Sequence, residues 1–168
     1  MAFAQDFGNK VRNRHQGITL AEEETPAFRR DPDLPGLNSF LNYGYAVLRA
    51  AIARAIVGAG LLPSLGLHHR NRSNSFCLAD DLIEPLRPLV DDRVRELHRQ
   101  GYDELNQPAK AALLEILADR VRLNDDVGPL MVQLHRYVAS LVRCFTGEEK
   151  DLQIPVLDSA PCPLTPAS

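Results

Sequence analysis

The chain has no tryptophan, only two methionines and three cysteines among its 168 residues. Cys77, Cys144 and Cys162 make no CxxC pair, so the sequence encodes neither a zinc site nor a disulfide framework. Cys77, in an apolar setting, is expected to be a small core residue. Long apolar runs are also missing. The most apolar stretch, residues 43–62, is interrupted by Arg49 and Arg54, which argues against a membrane span. Residues 1–14 carry charges where a secretory signal needs an apolar centre, so a cytoplasmic protein with no membrane partner is expected. No segment repeats another. Acids are absent from Leu34 to Ala79, although Arg49, Arg54, Arg70 and Arg72 fall in that window. The formal net charge of −3 therefore hides a basic middle followed by an acidic patch that begins at Asp80 and Asp81. It also argues against a uniformly basic nucleic-acid coat. Of the 19 basic residues, 16 are arginine, the side chain suited to forked phosphate contacts. A GC-rich genome accounts for that bias equally well.

What is present suits one domain with its own core. The expected fold class is all-α, a single helical domain of about four to six helices. Residues 1–27 form a poorly ordered arm without sustained apolar periodicity, residues 28–146 the helical domain, and residues 147–168 a flexible proline-rich tail. The first strong helix follows the breaker cluster Asp31-Pro32-Asp33-Leu34-Pro35-Gly36. Asn38 or Ser39 can cap it, and Leu41, Tyr45, Leu48, Ile52, Ile56 and Ala59 recur at spacings of three and four. Gly58 and Gly60 end it. A second helix is expected from Ser75 or Phe76, capped by oxygens of Ser73 to Ser75 and kinked at Pro85 and Pro88. Its continuation carries Val90, Val94 and Leu97 as far as Gly101. Asn106-Gln107-Pro108 starts a third helix over residues 109–118. Residues 120–123 make a brief extended piece turned by Asn124-Asp125-Asp126, and Pro129 opens a fourth helix through Leu130, Leu134, Val138 and Leu141.

The chemistry concentrates between Gly66 and Pro85. Two histidines, His68 and His69, open a polar loop containing Arg70 and Arg72, and Asp80, Asp81 and Glu84 follow on a helix. Asp81 and Glu84 are three apart and Asp80 and Glu84 four apart, so both pairs share a face. Imidazole with carboxylate is a ligand set for a divalent cation such as Mn²⁺ or Mg²⁺, and the arginines would attract phosphate. The same residues also suit a solvated surface: Arg87 sits three residues after Glu84 and can ion-pair with it, and a histidine on a polar loop is commonly just exposed. Tyr43 and Tyr45 either line such a site through their hydroxyls or pack in the core with a wet edge. On residue spacing alone these alternatives stay open.

Three stretches occur in order: Leu37-Asn38-Ser39-Phe40-Leu41-Asn42-Tyr43-Gly44-Tyr45-Ala46-Val47-Leu48-Arg49, Gly60-Leu61-Leu62-Pro63-Ser64-Leu65-Gly66-Leu67-His68-His69 and Leu78-Ala79-Asp80-Asp81-Leu82-Ile83-Glu84-Pro85-Leu86-Arg87-Pro88. Together they resemble the helical C-terminal domain of the CRISPR-associated endonuclease of spacer acquisition, in the form found in type II systems, over residues 28–144. The resemblance implies a metal-dependent DNA endonuclease or integrase that inserts foreign DNA into a CRISPR array in antiviral defence. It places His69 and Glu84 as metal ligands for Mn²⁺ or Mg²⁺ and Asp81 as a supporting catalytic acid. Arg70, Arg72 and Arg87 become phosphate candidates. The metal would polarise a phosphate and stabilise a 3′ oxygen. DNA read through its backbone or branched shape, a second copy of the chain and a second CRISPR adaptation protein are the implied partners. The family's first glutamate would fall near residues 12–14, where no acid is present, and Glu22, Glu23 and Glu24 are too near Phe28 to take its role. The family's N-terminal β domain is not represented either. The expectation is thus a truncated form, with a catalytically inactive remnant or a helical protein-interaction or DNA-binding module as the alternative.

Overall fold

The computed structural model describes residues 36–158, so the arm assigned to residues 1–27 and the last ten residues of the tail lie outside the described part. Helix α1 spans Leu37–Gly58, α2 Cys77–Ile83, α3 Arg87–Arg99, α4 Gln107–Leu114 and α5 Leu130–Thr146. Short 3-10 turns over Glu84–Leu86 and Glu115–Ala118 follow α2 and α4. Strands β1, Arg120–Leu123, β2, Asp126–Pro129, and β3, Val156–Leu157, make a small antiparallel sheet in the order β2-β1-β3. The domain is largely helical, as its periodicity predicts, with this sheet added at one side. No helix among the described residues is long and apolar enough to cross a membrane.

Helix α1 is the axis of the molecule, in contact with α2, α3, α4 and α5. Its apolar positions Phe40, Leu41, Leu48, Ile52 and Ile56 are all fully buried. They meet Leu78 and Leu82 of α2, Val90, Val94 and Leu97 of α3, Leu113 of α4, and Leu134, Tyr137, Val138 and Leu141 of α5 in one core. Each such aliphatic side chain removed from water contributes about 1.5–3 kcal/mol. Gly44 lets α1 and α3 approach closely, because a Cβ there would stand 2.5 Å from Val90 Cγ1. The Tyr137 hydroxyl, buried in the core, donates to the Leu82 carbonyl at 3.3 Å and ties α5 to α2.

Several local expectations change in detail. Helix α1 starts after Gly36 with no side-chain cap, and the Ser39 hydroxyl instead donates back to the Gly36 carbonyl at 2.7 Å. The second helix begins at Cys77, two residues later than Ser75, because Asn74 Oδ1 accepts the Phe76 amide at 2.9 Å and holds the chain in a turn first. Pro85 produces a single 3-10 turn between α2 and α3, since it has no amide hydrogen to continue the α-helical ladder. The tail differs most. Leu152 and Ile154 pack against the core and Pro155 is buried. Val156 and Leu157 pair with Arg122 and Val121 of β1, and Asp158 accepts from Arg122 at 2.6 Å. The backbone groups that β1 leaves open on its outer edge recruit this segment.

Candidate metal and phosphate site

Residues 59–76 join α1 to α2, and the part from Gly66 to Phe76 carries the paired histidines. Asp81, 1% exposed, accepts four hydrogen bonds from it. Oδ2 receives the amides of Leu67 at 2.5 Å and His68 at 2.9 Å. Oδ1 receives the His69 amide at 3.1 Å and lies 2.6 Å from His69 Nδ1. A buried carboxylate met by three backbone donors and an imidazole is fully satisfied, and each charge-assisted bond is stronger than a neutral one. The turn requires Gly66, because a Cβ there would lie 2.3 Å from the His69 carbonyl oxygen and 2.8 Å from Cys77 Cβ. Asp81 therefore faces the protein rather than solvent. A carboxylate there can only accept, so Nδ1 of His69 is the donor, and in the neutral ring the lone pair is on Nε2, on an exposed side chain. His68 lies edge-on to that ring, 5.8 Å between centroids.

Glu84 sits in the 3-10 turn, one helical turn beyond Asp81. Its Oε1 is 3.2 Å from Arg87 Nε, an ion pair whose angle is too poor for a hydrogen bond. The Arg87 guanidinium also lies over the Tyr45 ring, 4.8 Å from its centre. The Tyr45 hydroxyl donates to Asp91 of α3, so this tyrosine is a packed residue with a partnered polar edge. A cleft of about 240 Å³ runs along α1 here, lined by Tyr45, Arg49, Asp80 and Arg87 among others. Arg70 and Arg72 project from the loop and are exposed. Among the described residues no cluster of three His, Cys, Asp or Glu is arranged to hold a metal. The donor chemistry of His69, with Nε2 available, and of Glu84 fits part of a divalent-cation site.

Asp80, which by spacing shares a face with Glu84, is committed to a partner on another helix. Arg49 of α1 grips it with two bonds, Nε to Oδ1 and NH2 to Oδ2, both 2.6 Å. Asn74 Nδ2 donates to the same Oδ2 at 2.6 Å. Consecutive helical residues point about 100° apart, so Asp80 and Asp81 serve different partners. Cys77 is buried as expected, with its thiol within 3.3 Å of the Asn71 and Asn74 carbonyls.

The largely helical frame is shared with solved proteins. A casposase bound to its integration product superposes with TM-score 0.60 and 27% identity, over 70% of this chain and 39% of that one. A Cas1 protein from Thermotoga maritima shares the fold, with TM-score 0.53 and 18% identity. The family described as CRISPR associated protein Cas1 matches residues 25–124, and the chain belongs to that family. The CRISPR-associated endonuclease Cas1 of Neisseria meningitidis is 40% identical over 126 residues, 73% of this chain and 41% of that protein. A second relative of the same description, from Pyrobaculum aerophilum, is 30% identical over 73% of this chain and 45% of its own length. The chain thus spans less than half of these curated relatives.

Proposed function

We propose that this chain acts on DNA in CRISPR spacer acquisition, as the metal-binding helical part of an adaptation endonuclease or integrase. The observation that carries the reading is the Asp81–His69 arrangement, in which a buried carboxylate and three backbone amides fix the imidazole and present Nε2 outward. His69 and Glu84 would hold Mn²⁺ or Mg²⁺, with Asp81 as the positioning acid behind His69. A divalent cation in such a site supplies Lewis-acid charge at a phosphate. Arg70 and Arg72 bind the DNA backbone electrostatically, and Arg87 stands beside Glu84 as a third phosphate candidate. Membership of the family and the casposase neighbour support the substrate class. On this reading the partners are duplex or branched DNA, a second copy of the chain and a second CRISPR adaptation protein.

A second reading, a DNA-binding module without catalytic activity, is favoured by one observation: the Glu84 carboxylate already faces the Arg87 guanidinium, Oε1 to Nε 3.2 Å. One experiment separates the two. The purified chain is incubated with Mn²⁺ and branched DNA, alongside His69→Ala and Glu84→Gln, and Mn²⁺ binding is followed by electron paramagnetic resonance. The integrase reading expects nicking or strand transfer by the wild type and its loss in both variants. DNA binding without Mn²⁺ uptake or strand transfer by the wild type supports the module instead.

A further inference from the structure

Loop 66–76 is held at two places by two adjacent acids, and only the Asp81 half is explained by orientation of His69. The other half is Asp80. Its carboxylate takes Nε and one terminal nitrogen of Arg49 from α1 and the side-chain amide of Asn74 from the loop. Asn74 Oδ1 in turn accepts the Phe76 amide, and the Asn74 amide bonds the Asn71 carbonyl at 3.0 Å, closing the turn before α2. The Arg49 guanidinium also packs 5.6 Å from the centre of the Phe76 ring. Asp80 is only partly exposed, with 15% of its side chain accessible, whereas residues 68–73 are exposed. Arg70 and Arg72 lie between these two anchors, and His69 sits at the end of the first.

We propose that Arg49, Asp80 and Asn74 form a clamp that fixes the far end of this loop, and that they are positioning residues for His69, Arg70 and Arg72. Arg49 serves the clamp through the Nε–NH2 edge of its guanidinium, which is spent on Asp80. The clamp itself stands on the bonding geometry. Its importance for cation and DNA binding rests on the function proposed above.

Trypsin supplies a direct probe, since Arg70 and Arg72 are cleavage sites inside the loop. Cleavage of a native chain tracks the population of the open form. The variants are Asn74→Ser, which keeps a hydroxyl to cap the Phe76 amide but cannot reach Asp80, and Arg49→Met, which keeps bulk and helix propensity. Both should speed cleavage after Arg70 and Arg72 by about tenfold, the effect of losing one or two charge-assisted bonds from a local opening equilibrium. Cleavage elsewhere should not change. In the imidazole ¹⁵N spectrum, His69 should keep the tautomer that Asp81 sets but broaden through exchange with the open loop, which a purely global loss of stability would not produce. Unchanged loop cleavage together with an unchanged His69 signature would overturn the clamp. Faster loop cleavage, in a protein whose wild type binds neither Mn²⁺ nor DNA, would leave the clamp standing and remove the functional reading beneath it.

Discussion

A single carboxylate does most of the local organisation in this domain. Asp81 is surrounded by donors only, the amides of Leu67, His68 and His69 and the ring nitrogen of His69. Asp81→Asn changes the volume little but turns one acceptor oxygen into an NH2 group, which must then face donors. If the NH2 group replaces Oδ2, it opposes two backbone amides. If it replaces Oδ1, it opposes the His69 amide and forces Nδ1 to become an acceptor, so the ring proton moves to Nε2. The second arrangement leaves fewer clashing donors and is the expected one. Asp81→Asn should therefore cost about 1–3 kcal/mol, the penalty of an unpaired buried donor, seen as a lower urea midpoint. It should also lower Mn²⁺ affinity by about 10–100-fold, because the nitrogen that would bind the cation is now protonated. A stable variant with wild-type Mn²⁺ affinity would show that His69 Nε2 holds no cation.

At the level of elements, helix-to-helix approach depends on Gly44. A methyl group at this position would gain about 1 kcal/mol in helix propensity, yet it would stand 2.5 Å from Cγ1 of the buried, conformationally stiff Val90. Overpacking of a filled core costs about 1–3 kcal/mol, so packing wins and Gly44→Ala should destabilise. Val90→Ala alone leaves a void. The double variant Gly44→Ala/Val90→Ala should lose less than the sum of the two single losses, because the new methyl fills the space that Val90 vacates; additive denaturation midpoints would contradict this. The helices themselves were legible in the sequence because Leu41, Leu48, Ile52 and Ile56 repeat at the helical period, and so was the extended piece at residues 120–123 with its turn. Strand β3 was not. Val156 and Leu157 follow a proline in a proline-rich segment, and they become a strand only by pairing with Arg122 and Val121, far away in sequence. In the site, the types and order of His69, Asp81 and Glu84 were legible, whereas the separate allegiance of Asp80 to Arg49 and Asn74 was not, because it depends on how α1 lies against α2.

For the molecule as a whole, charge placement matters more than total charge. The net −3 would repel DNA if it were spread evenly. Much of the arginine is already neutralised within the fold. Arg93 pairs with Asp119 at 2.7 Å, Arg95 with Asp92 at 2.7 Å, Arg122 with Asp158 at 2.6 Å and Arg143 with Glu149 at 2.6 Å. Arg70 and Arg72, by contrast, stand exposed on a loop whose neighbouring acids on α2, Asp80 and Asp81, are turned inward to Arg49 and His69. A phosphate approaching the loop meets the arginines before any carboxylate. Each phosphate contact releases condensed counterions, so log affinity falls with log salt by about 0.9 per contact on duplex DNA. Arg70→Ala and Arg72→Ala should each weaken binding of the full chain to duplex DNA by a similar factor for every sequence and flatten the salt slope by about 1. Arg122→Ala, whose cation is committed to Asp158, should leave that slope unchanged. Fluorescence anisotropy titrations across a range of salt concentrations measure all three. Equal slopes for wild type, Arg70→Ala and Arg72→Ala would place the DNA contact on another face of the protein.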